Sequence, residues 1–95
     1  MRVKYLNNNC IHMKMDKEKA VGRFLMNDGR IHILSLGEYS NGIMYSRSIH
    51  VWPDGHSSDC QIPYSPQSKP EEEIAEWVSE NIQNGTYVAQ ITDEN

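Results

Sequence analysis

Residues 27–55 read NDGRIHILSLGEYSNGIMYSRSIHVWPDG, and three turn signals punctuate them: Asn27-Asp28-Gly29, Ser40-Asn41-Gly42 and Pro53-Asp54-Gly55. In each, an Asn or Asp side chain can fold onto its own backbone beside a Gly that accepts positive φ without steric cost, so antiparallel strands can reverse there. The glycines stand thirteen residues apart. That spacing leaves about nine or ten residues per strand, on the long side for a globular sheet. The stretch therefore predicts a meander of long adjacent strands.

Between the turns the alternation says which residues share a face. One strand, about Arg30 to Leu36, carries Ile31 and Ile33 on one side and Leu34 and Leu36 on the other. The longest, Ile43 to Trp52, sets Ile43, Tyr45, Ile49 and Val51 against Met44, Ser46, Ser48, His50 and Trp52. Arg47 interrupts the first set, which calls for a carboxylate partner, a snorkelling side chain or an exit from the core. Beyond Gly55 a weaker strand runs through Cys60 to Ile62, and Pro63 ends it or confines it to an edge.

Upstream, Arg2–Leu6 reads as a short strand, Asn7-Asn8-Asn9 as a turn, and Ile11–Asp16 as a second alternating strand. Residues 16–28 fit two patterns, since Ala20, Val21, Phe24 and Leu25 also stand at helical spacing behind Asp16. Gly22 costs about 1 kcal/mol inside a helix, and the Gly29 turn continues directly into a strand. A strand from Ala20 to Met26 is the better reading.

Downstream, Ser65-Pro66-Gln67 is loop, and Ser68-Lys69-Pro70-Glu71 has the form of a capping box. A helix over about 68–84 follows, with Ile74, Trp77, Val78 and Ile82 on one stripe, Glu71, Glu72 and Glu73 opposing the dipole, and Asn84-Gly85 as the stop. Tyr87–Ile91 alternates like a last strand that rejoins the sheet, and Thr92–Asn95 reads as frayed. The predicted fold is a single α+β domain over residues 1–95, an antiparallel β-meander of five to six strands with one C-terminal helix packed on one face and a short final strand.

Composition bounds the function. At 95 residues and 38% apolar content, below the ~45–50% usual for globular chains, the core is modest. The net charge of −4 hides a split: residues 1–55 hold eight Lys or Arg against five Asp or Glu, whereas residues 56–95 hold one against eight. No run of ~18 apolar residues and no leader-like stretch is present, so a soluble cytoplasmic protein without membrane attachment is expected. In such a compartment Cys10 and Cys60 are expected as free thiols rather than a disulfide.

The catalytic and metal readings are weak. His50, His56 and Cys60 lie close in sequence and Cys10 and His12 are two apart, but the spacings match neither a Cys-x2-Cys site nor a His-x3-His helix site. No nucleophile elbow, Gly-rich phosphate loop or Cys-x-x-Cys occurs. Neither a metal, a cofactor nor an enzymatic activity is expected.

Two binding readings remain. One short helix covers only part of a large sheet, so Leu34, Leu36, Met44, His50 and Trp52 are expected on an uncovered face that receives a protein partner or a second copy of the chain. The expected function is thus a non-enzymatic protein-binding module, an accessory or inhibitory protein of the kind phages and mobile elements carry, acting through that face or the acidic helix. The alternative is nucleic-acid binding by Lys14, Lys17, Lys19, Arg23, Arg30 and Arg47, with Tyr45, His50 and Trp52 for stacking.

Overall fold

A computed structural model describes residues 15–92. The strand expected at Arg2–Leu6, the Asn7–Asn9 turn, most of the strand from Ile11 and the end of the tail lie outside those residues. The described elements are β1 (Met15–Met26), β2 (Ile31–Tyr39), β3 (Met44–Val51), β4 (Ser57–Pro63), α1 (Pro70–Gln83) and β5 (Tyr87–Ile91). They form an antiparallel sheet of order β4-β3-β2-β1-β5. The α+β meander is as expected, and the ambiguous residues 16–26 are strand.

The three turns share one design. The amides of Gly29, Gly42 and Gly55 donate to the carbonyls of Met26, Tyr39 and Trp52 at 2.9–3.0 Å, and all three glycines have φ between 88° and 94°. Asp28, Asn41 and Asp54 each accept the amide two residues on, at 3.0–3.1 Å. The side chain thus stabilises a backbone that only Gly completes cheaply.

By these pairings β4 and β5 run in the same direction at opposite edges, so the chain must cross one face of the sheet between them. It does so as α1, and the face it covers is opposite to the one expected. Leu34 and Leu36 are 3% and 2% exposed and pack with Ile74, with Val21, Met44, Tyr64 and Val78 around them. Phe24, Met26 and Tyr87 form a second cluster against Val78. The proposed partner residues Leu34 and Leu36 are therefore core. Ile31, Ile33, Ile49 and Val51 stay half-buried on the other face, over which no described element packs.

The helix also differs in detail. Ser68 bonds the Ser65 hydroxyl at 3.0 Å and forms no capping box; Lys69 is the N-cap, its amide donates to Glu73 Oε2 at 2.9 Å, and Pro70 opens the helix. Of the predicted stripe only Ile74 is fully buried and Val78 partly so. Trp77 is 42% and Ile82 54% exposed, because the helix meets the sheet along a narrower seam than its apolar stripe. No described helix is long and apolar enough to cross a membrane.

Candidate functional site: a groove between the helix and the sheet

Strand β3, next to the β4 edge, carries Ser46 and Ser48 on the helix-side face, opposite Leu36 and Leu34 on one neighbour and Ile62 and Cys60 on the other. Two small side chains in a row of bulky ones lower the floor where α1 no longer reaches. The result is a groove of about 310 Å³. Leu34, Ser46 and Ser48 form its floor, Glu73, Ile74 and Trp77 of α1 one wall, and Ile62 with Tyr64 the other. The flanking Trp77 and Ile62 are 42% and 48% exposed, a large apolar surface to leave in water.

Backbone bonds hold the polar members in place. The Tyr64 amide continues the ladder past β4 by donating to Met44 O at 2.8 Å, which keeps the ring on the groove wall. Burial raises the Tyr64 hydroxyl pKa; a hydrogen bond with Ser46 lowers it, and the nearby Glu73 charge raises it again. Glu73 is pinned by its bond from the Lys69 amide. Glu71, Glu72, Glu73, Glu76 and Glu80 give α1 five carboxylates and no cation, so the groove opens under a negative field.

Beyond Trp77 lies a cluster of imidazoles and aromatics. His32 and His50, cross-strand partners, stack at 4.2 Å, and Trp77 meets His32 edge-on at 5.4 Å. His32 Nδ1 lies 2.6 Å from the Tyr87 hydroxyl, while His32 Nε2 and His50 Nδ1 have no hydrogen-bond partner among the described residues. Desolvation, with the neighbouring His50 and Arg30 charges, pushes His32 down to about 4. Burial likewise lowers His50. Both rings are neutral near pH 7 and serve as packing. Trp52 stacks on His56 at 4.4 Å, with the Arg30 guanidinium 5.5 Å above the Trp52 ring.

Among the described residues no three His, Cys, Asp or Glu side chains converge as a metal site would need. His50 packs on His32, and His56 pairs with Asp54 within the turn. Cys60 is disulfide-bonded, which corrects the expectation of free thiols. The chain's other cysteine, Cys10, and the Cys10/His12 pairing lie outside the described residues.

The face away from the helix explains Arg47. Gly37 stands between Glu18 and Tyr45 in the register, and the absent side chain lets the Tyr45 hydroxyl reach over β2 to donate to Glu18 Oε2 at 2.7 Å. Arg47 forks onto Asp59 at 2.8 and 2.5 Å and reaches Glu18 at 3.2 Å. These bonds and carboxylates hold its guanidinium well above its ordinary pKa, against desolvation. Lys19 pairs with Glu71 at 3.3 Å and Arg30 with Asp28 at 2.7 Å. Three of the cations expected to meet phosphates thus have carboxylate partners, while Lys14 lies outside the described residues.

No family model, curated protein or solved structure matches this chain. The groove therefore stands on its own geometry. Of the expected partner residues, Leu34 forms part of its floor, Leu36 lines a larger hollow of about 500 Å³ nearer β1 and, with Met44, one of about 230 Å³, and His50 and Trp52 lie beyond Trp77. Sequence reasoning missed Ile62, Tyr64, Glu73 and Trp77 as a set. The available signal was the Ser46–Ser48 pair on an otherwise bulky strand.

Proposed function

We propose that this chain is a non-catalytic protein-binding module and that its docking surface is the groove beside α1. The observation that carries the reading is the pair Trp77 and Ile62, large apolar side chains left substantially exposed on opposite walls of a concave site. Exposed aromatic anchors beside a pocket are what interface hot spots are made of, and the surrounding glutamates supply a polar rim. An accessory or inhibitory role suits a small domain of this kind.

Selection from a displayed random peptide library tests the reading. The wild-type chain enriches peptides with an apolar anchor among basic residues, and Trp77→Ala and Ile62→Ser each lose them while keeping the native near-ultraviolet spectrum. Failure to enrich any sequence, or equal retention by both variants, overturns it.

A further inference from the structure

We infer that the groove receives an arginine side chain of the partner, its guanidinium held by Trp77, Tyr64 and Glu73. The inference rests on the protein-binding reading and specifies its chemistry. A groove of about 310 Å³ has the capacity of a small ligand or one long side chain. It is too small to seat a helix. No Lys or Arg lines it among the described residues, and the lining charge is the Glu73 carboxylate.

The occupant's body must be apolar, to lie along Leu34, Ile62 and Ile74, and its head must be a donor, because the Glu73 carboxylate only accepts, while the Ser46 and Ser48 hydroxyls can accept or donate. Arginine meets both needs better than lysine. Its guanidinium is planar, stacks on indole and phenol faces and is more weakly hydrated than an ammonium, so it loses less on entering a partly apolar site. Its fork addresses a carboxylate and a hydroxyl together. Glu73 is already fixed by the Lys69 amide, so little side-chain entropy is lost when the guanidinium arrives. The remaining glutamates of α1 attract the cation from a distance without having to touch it.

The test is a nitrogen-15 NMR titration of the full chain with N-acetyl-arginine methylamide and its citrulline and lysine counterparts. Arginine moves the Trp77 indole, Ser48 and Glu73 signals. Citrulline, isosteric and uncharged, binds about tenfold more weakly, the loss of one charged hydrogen bond. Lysine falls between them. Glu73→Gln keeps an acceptor for the Lys69 amide and reduces arginine binding without moving citrulline, whereas Trp77→Leu keeps the apolar wall and weakens both. Equal binding of arginine and citrulline, or shifts confined to other surfaces, overturns the inference. If display-selected peptides bind through Trp77 and Ile62 yet tolerate Arg→Leu, the protein-binding reading stands and the arginine site falls.

Discussion

The two faces of this sheet are both apolar in part, yet they are finished by different means. On the helix side Leu34, Leu36 and Ile74 exclude water by packing, and the cover stops short, leaving the groove and an exposed Trp77. On the other side no described element lies above Ile31, Ile33, Ile49 and Val51, and the described contacts run between strands. There Tyr45 and Tyr39, 0% and 1% exposed, stack on each other at 4.4 Å, and a carboxylate-guanidinium network crosses the strands. The difference teaches that burial is reached on both faces, by aliphatic packing under the helix and by paired rings and ion pairs opposite, and that only the helix side leaves the unfinished margin we propose as the docking surface.

The largest expected effect tests that division directly. Leu36→Ala removes a side chain that is 2% exposed and should cost about 3 kcal/mol, while Ile33→Ala on the half-buried face should cost about 1 kcal/mol, read from urea midpoints. Equal losses would mean the two faces are equally covered.

Next comes Gly37→Ala. A methyl there would overlap the Tyr45 ring and stand 2.5 Å from the Lys17 carbonyl oxygen, so the substitution should cost about 2 kcal/mol although it adds apolar bulk. Thermal melts that match wild type would show that the close Tyr45 approach over β2 is dispensable.

The third effect is a slope with pH. Unfolded, His32 takes up a proton near 6.5, and folded it resists until about 4. Between those values the unfolded chain binds more protons, so the stability of the neutral ring is complete above pH 6.5 and drains away as pH falls toward 4. His50 acts in the same direction. The groups facing the pair are Tyr87, Trp77, Arg30 and Asp28. His32→Phe should flatten stability between pH 6.5 and 4.5, and an unchanged slope would remove the histidine stack from the account.

Much of this was legible in residue order because it is local. The turns at Gly29, Gly42 and Gly55, the alternation of β3 and the bounds of β5 follow from side chains acting on their own backbone. The capping box failed because Ser68 found Ser65 instead and Pro70 started the helix one residue after Lys69. The groove was harder to see: Tyr64, Glu73 and Trp77 have no common spacing, and they meet only when α1 packs beside β3. Cys60 belongs with these, since pairing depends on proximity that spacing does not report.

By itself the sequence determined the strands, their turns and which side chains travel together, because a period of two sorts residues into faces and Gly-terminated turns set the register. It did not say which face is inside. Only the tertiary structure decided that, when α1 crossed between two parallel edge strands over the Leu34 and Leu36 side. Such a crossover takes its side from the handedness of the chain, and alternation has none.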